Sequence, residues 1–177
     1  MQDNVWFTYK ARIQAAQRLS RNDFHSQALL VWYAFFSAAL AVVTVRYPKL
    51  LGSDTDLTAA VLAVGLLVMS MFVTSQDFRG RSIAMRSNYL ALHALHNALN
   101  PATPTPADIA KYAELLAAVE NHTEMDDKRF RVFHGGQLTR PSTYSEALEV
   151  YAYLALRAAI FTLLYVAPFG MLLAALR

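Results

Sequence analysis

Three stretches of this chain carry no charged side chain and are long enough to cross a bilayer: residues 28–45, 57–76 and 158–176. A hydrocarbon core about 30 Å thick is spanned by roughly 20 apolar residues in a helix. Lipid offers the backbone N–H and C=O groups no partner, so an inserted stretch must close its own hydrogen-bond ladder as a helix. The solvent around these segments is therefore expected to be a lipid bilayer.

Charge is distributed to match. The chain has 16 Lys and Arg and 13 Asp and Glu, and all of them lie outside the three stretches. Charged residues make up 16% of the chain, against about 25% in soluble domains. A soluble bundle helix keeps a polar face, and 57–76 has almost none. The first stretch begins behind a long polar arm, which is not the layout of a cleaved signal peptide. Cysteine is absent, so disulfides, thiolate metal sites and a cysteine nucleophile are excluded; its absence is compatible with a reducing cytoplasm.

Basic residues favour the cytoplasmic flank of a span. Lys10, Arg12, Arg18 and Arg21 precede the first stretch and Arg79, Arg81 and Arg86 follow the second, while Arg46 and Lys49 lie between them. The first two stretches thus read as a hairpin with a cytoplasmic N-terminus and an outer turn at Tyr47-Pro48 and Gly52-Ser53-Asp54. Arg140 and Arg157 precede the third stretch and Arg177 follows it, which puts its start inside and the carboxyl terminus outside. Pro168 and Gly170 interrupt it; a span tolerates this when neighbours satisfy the freed backbone. A re-entrant, interfacial or bundle-buried helix is the alternative for 158–176.

The polar segments are also helical in pattern. The arm 5–26 sets Trp6, Phe7 and Tyr9 among Lys10, Arg12, Arg18 and Arg21. This suits either a basic amphipathic helix at the headgroups or one packed on other cytoplasmic helices. After the second span, Gln76 to Leu99 reads as one continuous helix leaving the membrane, with Met85, Leu92, Leu95 and Leu99 at the spacing that implies a partner helix. Asn100-Pro101 ends it. Thr105, Pro106 and Asp108 then start a helix bearing Ile109, Tyr112, Leu116 and Val119. The pair predicts an antiparallel hairpin whose apolar stripes favour self-association. Residues 126–141 read as a polar break, and Thr143 with Glu146 as a capping box for the last helix. The expected fold class is an all-α integral membrane protein. It is read as one domain over 1–177: arm 5–26, hairpin 28–45 and 57–76, cytoplasmic helices 77–157, and a third apolar helix 158–176.

Signals for chemistry are sparse. No Gly-rich phosphate loop, G-x-S-x-G or H-E-x-x-H occurs. His93 and His96, one turn apart, are candidate metal ligands, yet a site needs three or four with support behind them. Arg129 and His134 match R-x4-H, the pattern of HEPN-type ribonucleases, where a paired Arg and His polarise a phosphodiester and move its proton. No acidic or basic residue lies mid-membrane, so no proton relay or ion-coupling site is evident. Small residues such as Ser37-Ala38-Ala39, Ala59-Ala60 and Gly65 permit close helix packing. No enzymatic activity and no cofactor are expected.

The basic arm Trp6-Phe7-Thr8-Tyr9-Lys10-Ala11-Arg12, the two-span hairpin and the helix from Arg79 through Arg86-Ser87-Asn88-Tyr89-Leu90-Ala91-Leu92 together resemble the SLATT family over about residues 5–157. These are bacterial two-transmembrane effectors of anti-phage and nucleotide-signalling loci. The resemblance implies an effector that forms a homo-oligomer in the inner membrane and makes pores once infection is sensed. It implies no catalytic residues. Alternatives are a membrane-tethered ribonuclease using Arg129 and His134, and a non-lytic scaffold for a defence enzyme encoded nearby. Nucleic acid is not an expected partner. An oligomer of such charge-free spans would have an apolar lumen, with Gly65 near the middle of the second span.

Overall fold

The computed structural model describes all residues except 51, 101–102, 136–140 and 176–177. Arg140, Gly136, Pro101, Arg177 and the last residue of 158–176 therefore lie outside the described residues. Six helices follow one another: α1 (Gln2–Arg46), α2 (Thr55–Ser75), α3 (Phe78–Ala98), α4 (Pro106–Ala117), α5 (Glu124–His134) and α6 (Tyr144–Ala175). No strand occurs among the described residues. The protein is all-α, and three helical stretches are long and apolar enough to cross a membrane.

Helix α1 takes in both the arm and the first apolar stretch, because neither Gly nor Pro interrupts Gln2–Arg46. It ends where Pro48 cannot continue it. The turn that follows closes through Leu50 N–H to Tyr47 C=O at 3.1 Å and Gly52 N–H to Lys49 C=O at 3.0 Å. Gly52 has φ of 100°, a region open to glycine and costly to residues with a Cβ. The helix expected over Gln76 to Leu99 is α3, Phe78–Ala98, set off from α2 by a break. Asp77 has φ of 43°, and this left-handed residue ends α2 and starts α3. Asp tolerates that conformation better than most residues because its short polar side chain can bond locally.

Three threonines start helices. Thr105 is the N-cap of α4, as the sequence indicates, and with Asp108 it forms a reciprocal capping box. Thr143 and Glu146 do the same at α6, with Thr143 N–H donating to Glu146 at 2.8 Å. The third, Thr123 with Asp126, opens α5. Residues 126–141 are thus not simply a polar break: their first part is helical up to His134, since the box satisfies orphan N–H groups that would otherwise resist burial.

The chain divides into two compact units. Unit 1 comprises Met1–Asn22 with Phe78–Leu154, and unit 2 comprises Asp23–Asp77 with Ala155–Arg177. In unit 1 the start of α1 is the central element. Val5 packs with Leu92, Leu99 and Leu115, while Ala15, Ala16 and Leu19 pack with Met85. Each fully buried aliphatic side chain contributes roughly 1.5–3 kcal/mol. The stripe Met85–Leu92–Leu99 is therefore consumed inside the unit, which corrects its reading as a free surface for self-association. The partner helix it calls for is α1. Helices α3 and α4 are antiparallel, with Asn88 bonded to Leu115 and Arg81 to Glu120.

Candidate functional site

Unit 2 carries the three apolar stretches, and α1 and α6 meet there along an aromatic seam. His25 stacks on Phe161 with ring centroids 4.1 Å apart, and Trp32 lies 5.5 Å from Phe169. His25 Nδ1 is 3.4 Å from the Tyr165 hydroxyl. Contact positions rise together along both helices, so within this unit α6 runs parallel to α1. Pro168 lies inside α6 and is buried. It has no N–H to offer the carbonyl of Leu164, four residues earlier. The Tyr33 hydroxyl donates to that carbonyl at 2.9 Å. The neighbour that a proline-containing span requires is thus a tyrosine on the first span. A shallow apolar groove of about 420 Å³ also lies in this seam, lined by Ala28, Val31, Trp32, Tyr165, Val166 and Phe169.

Helix α2 is different. No residue of its most apolar window is buried, and Leu57, Val61, Val64, Leu67, Val68 and Phe72 are all more than half exposed. Gly65 is exposed too, and a Cβ built on it would meet nothing within 4 Å. Outside water, such a surface suits lipid tails or another apolar helix; in a soluble protein it would be an aggregation surface.

The polar chemistry is concentrated in unit 1. Arg12 is fully buried. Its Nη1 donates to Asn88 Oδ1 and to the Leu115 carbonyl at 2.9 Å, and its Nη2 donates to the Leu116 carbonyl at 3.2 Å. These carbonyls belong to the last turn of α4, where helix C=O groups lack intrahelical donors and the macrodipole is negative. The cation is thus compensated by a helix end rather than by a carboxylate. Burial lowers the Arg12 pKa from the usual guanidinium value, with the nearby Tyr112 acting in the opposite direction. Arg18 bonds Asp126 in bidentate fashion, Nε to Oδ1 at 3.0 Å and Nη2 to Oδ2 at 3.1 Å, and Asp126 is fully buried. Arg12 and Arg18 therefore do not face headgroups. Of the two readings of the arm, the structure shows helix packing for this part.

The candidate chemical residues do not converge. Arg129 is buried and His134 is exposed at the end of α5. Five residues apart on a helix, they point about 140° from each other. His134 stacks on Phe130 with centroids 5.1 Å apart. His93 and His96 flank Tyr9, their rings 5.1 and 6.2 Å from it. Among the described residues no group of three or more His, Cys, Asp or Glu is placed to hold a metal ion. Sequence reasoning missed the Arg12–Asn88 and Arg18–Asp126 links. A signal for the first was present: Val5, Thr8, Arg12, Ala15 and Leu19 fall at alternating three- and four-residue spacing, so Arg12 occupies a core position.

Comparison with known proteins finds no match among curated proteins and none among solved structures. A family model does match, over residues 1–176. With its helical hairpin of apolar stretches and its helical polar unit, the chain belongs to the SMODS and SLOG-associating 2TM effector domain family 5.

Proposed function

We propose that the protein is a membrane effector of a bacterial anti-phage defence system that assembles in the inner membrane and opens a pore. The basic flanks of the first two spans support a cytoplasmic N-terminus. Sensing of infection, directly or through a defence enzyme encoded nearby, would trigger assembly. Family membership supports the effector reading. The single observation that carries the pore is α2, a charge-free span with no buried residue in its apolar window. One copy has too few spans to enclose a lumen, so α2 would find its partners in further copies. Its small residues Ala59, Ala60, Ala63 and Gly65 allow helices to approach closely. The activity requires no catalytic group and no cofactor.

The direct test is dye or ion release from liposomes containing the purified protein, with oligomer size measured in the same lipid. Release that grows steeply with protein density supports the proposal. A monomer that releases nothing under any trigger would overturn it. Copurification with a neighbouring defence enzyme, without leakage, would instead identify a scaffold.

A further inference from the structure

The three apolar stretches of unit 2 are held unequally. Those of α1 and α6 are tied by His25 stacked on Phe161, by Trp32 against Phe169, and by the Tyr33 hydroxyl on the Leu164 carbonyl. Helix α2 lacks such ties. Between Leu57 and Thr74 no described residue makes a ring contact, an ion pair or a side-chain hydrogen bond to another element. The hydroxyls of Ser70, Thr74 and Ser75 donate to carbonyls one turn earlier in α2 itself. What holds this helix is apolar contact through half-buried side chains such as Leu62 and Leu66. In a bilayer that contact has no hydrophobic drive behind it, because lipid tails are as apolar as leucine.

The ends of α2 are also the places where the backbone can turn. Among the described residues just two have positive φ, Gly52 at 100° and Asp77 at 43°, and they bracket α2. Glycine populates both signs of φ, and Asp is one of the few other residues that visits the left-handed region. A hinge consists of such element-terminal residues, which absorb a change in φ and ψ. At Gly52 the local bonds fall on either side of Cα. Its N–H donates to the Lys49 carbonyl at 3.0 Å, and its own carbonyl accepts from the Thr55 hydroxyl at 2.7 Å. Rotation about that Cα leaves both in place. At the other end the Asp77 N–H donates to the Thr74 carbonyl at 3.3 Å, so rotation about the Asp77 Cα leaves the last turn of α2 whole. Neither Gly nor Pro occurs from Met71 to Arg79. The local sequence thus allows a right-handed Asp77, and with it an unbroken helix, as well as the left-handed state.

We infer that α2 is the moving span of unit 2, turning about Gly52 and Asp77 while α1 and α6 stay clamped to each other. Exchanging apolar contact with its own chain for contact with lipid or another copy changes little for α2. The α1–α6 pair cannot part so easily, because hydrocarbon returns no partner for the Leu164 carbonyl or the Tyr33 hydroxyl. The purpose of the motion rests on the pore reading, since a turned α2 offers further copies a new face. The motion itself does not depend on that reading.

The chain has no cysteine, so spin labels can be placed in chosen pairs. Val42→Cys/Val61→Cys joins α1 to α2, and Val31→Cys/Leu163→Cys joins α1 to α6; all four positions are well exposed, so the labels themselves are equally free. Full-length protein is held at one copy per nanodisc, and the distance distribution of each pair is read by pulsed electron paramagnetic resonance. The α1–α2 pair is expected to show more than one population and the α1–α6 pair a single narrow one. Asp77→Ala, which disfavours the left-handed backbone, should shift the α1–α2 populations and leave the α1–α6 distance as it was. Asp77→Gly should keep the wild-type populations. An α1–α2 distribution as narrow as that of α1–α6 would overturn the hinge. So would populations indifferent to Asp77→Ala, or equal broadening of both pairs, which would mean a loosened unit rather than a moving helix. Because single copies are read, these distances decide the hinge whether or not the protein releases dye from liposomes.

Discussion

The Tyr33 hydroxyl donates to the Leu164 carbonyl at 2.9 Å, and Leu164 is the residue whose helical partner Pro168 removes. One hydrogen bond thus ties the first span to the third at the position where the third is weakest. The bond lies where α6 runs parallel to α1 in this unit.

Tyr33→Phe is expected to destabilise the protein in detergent by about 1 kcal/mol, typical of a hydrogen bond between membrane helices. In a Pro168→Ala background an alanine N–H takes over the Leu164 carbonyl, and Tyr33→Phe should then cost little. Equal costs in the two backgrounds, measured by unfolding in mixed micelles, would show that Tyr33 does not serve the proline site.

Arg12→Ala should cost about 3 kcal/mol or more. It deprives the Leu115 and Leu116 carbonyls and Asn88 of a charged donor and leaves a void among buried side chains. Arg12→Lys should rescue little, since an ammonium cannot reproduce a planar fork reaching two carbonyls and an amide. Thermal unfolding followed by helicity checks both variants. A Lys variant as stable as wild type would refute the fork geometry.

Asp108 links stability to pH with a defined sign. The Thr105 backbone N–H donates to its carboxylate at 2.9 Å, and this bond, followed by that from the Thr105 hydroxyl, lowers its pKa. A carboxylate depressed in the folded state contributes stability that is fully present above its unfolded pKa, about 3.9, and is lost as pH falls through the folded value. Amide exchange at the start of α4 should therefore accelerate as pH drops below about 4, beyond the intrinsic pH effect. Asp108→Asn should remove that component, and an unchanged acid profile in the variant would exclude the box as its source.

His134→Ala is expected to leave protection against phage at wild-type level, with no RNA cleavage by either protein. Arg129→Ala should lower stability instead, because Arg129 is buried in unit 1. RNA cleavage by the wild type that both substitutions abolish, in proteins that remain folded, would establish the ribonuclease reading in place of the pore.

The apolar stretches were legible because a period-free run of about 20 uncharged residues has few other uses. The caps at Thr105 and Thr143 were legible because their patterns are local. Thr123-x-x-Asp126 is equally local, but the charge run Asp126-Asp127-Lys128-Arg129 resembles a solvated loop until Arg18 is known to meet Asp126. That partner is 108 residues away, a distance no periodicity reports. The arm stayed open between two readings for a related reason. Ala11, Ala15 and Ala16 are buried yet weakly apolar, so its inner face is quiet while its arginines are conspicuous. Tyr33 had no signal of its own, since only the packing of α6 reveals which tyrosine reaches Pro168.

Gly65 separates two fates for α2. It is exposed and a side chain there meets no neighbour within 4 Å, so Gly65→Asp introduces charge without a clash in the single chain. If α2 lines the lumen, an apolar constriction that gates by dewetting becomes wetted. The variant should then leak ions and arrest growth without phage. If α2 faces lipid, the carboxylate must be held in hydrocarbon at about 2.5–3.5 kcal/mol by insertion scales, and membrane insertion should fall. Gly65→Ala, which adds volume without charge, should do neither. Growth on induction, ion leakage and the membrane-inserted fraction compare both variants with the wild type. A Gly65→Asp protein that inserts fully, is harmless when uninduced by phage and protects normally would place this residue on neither surface and remove α2 from the pore wall.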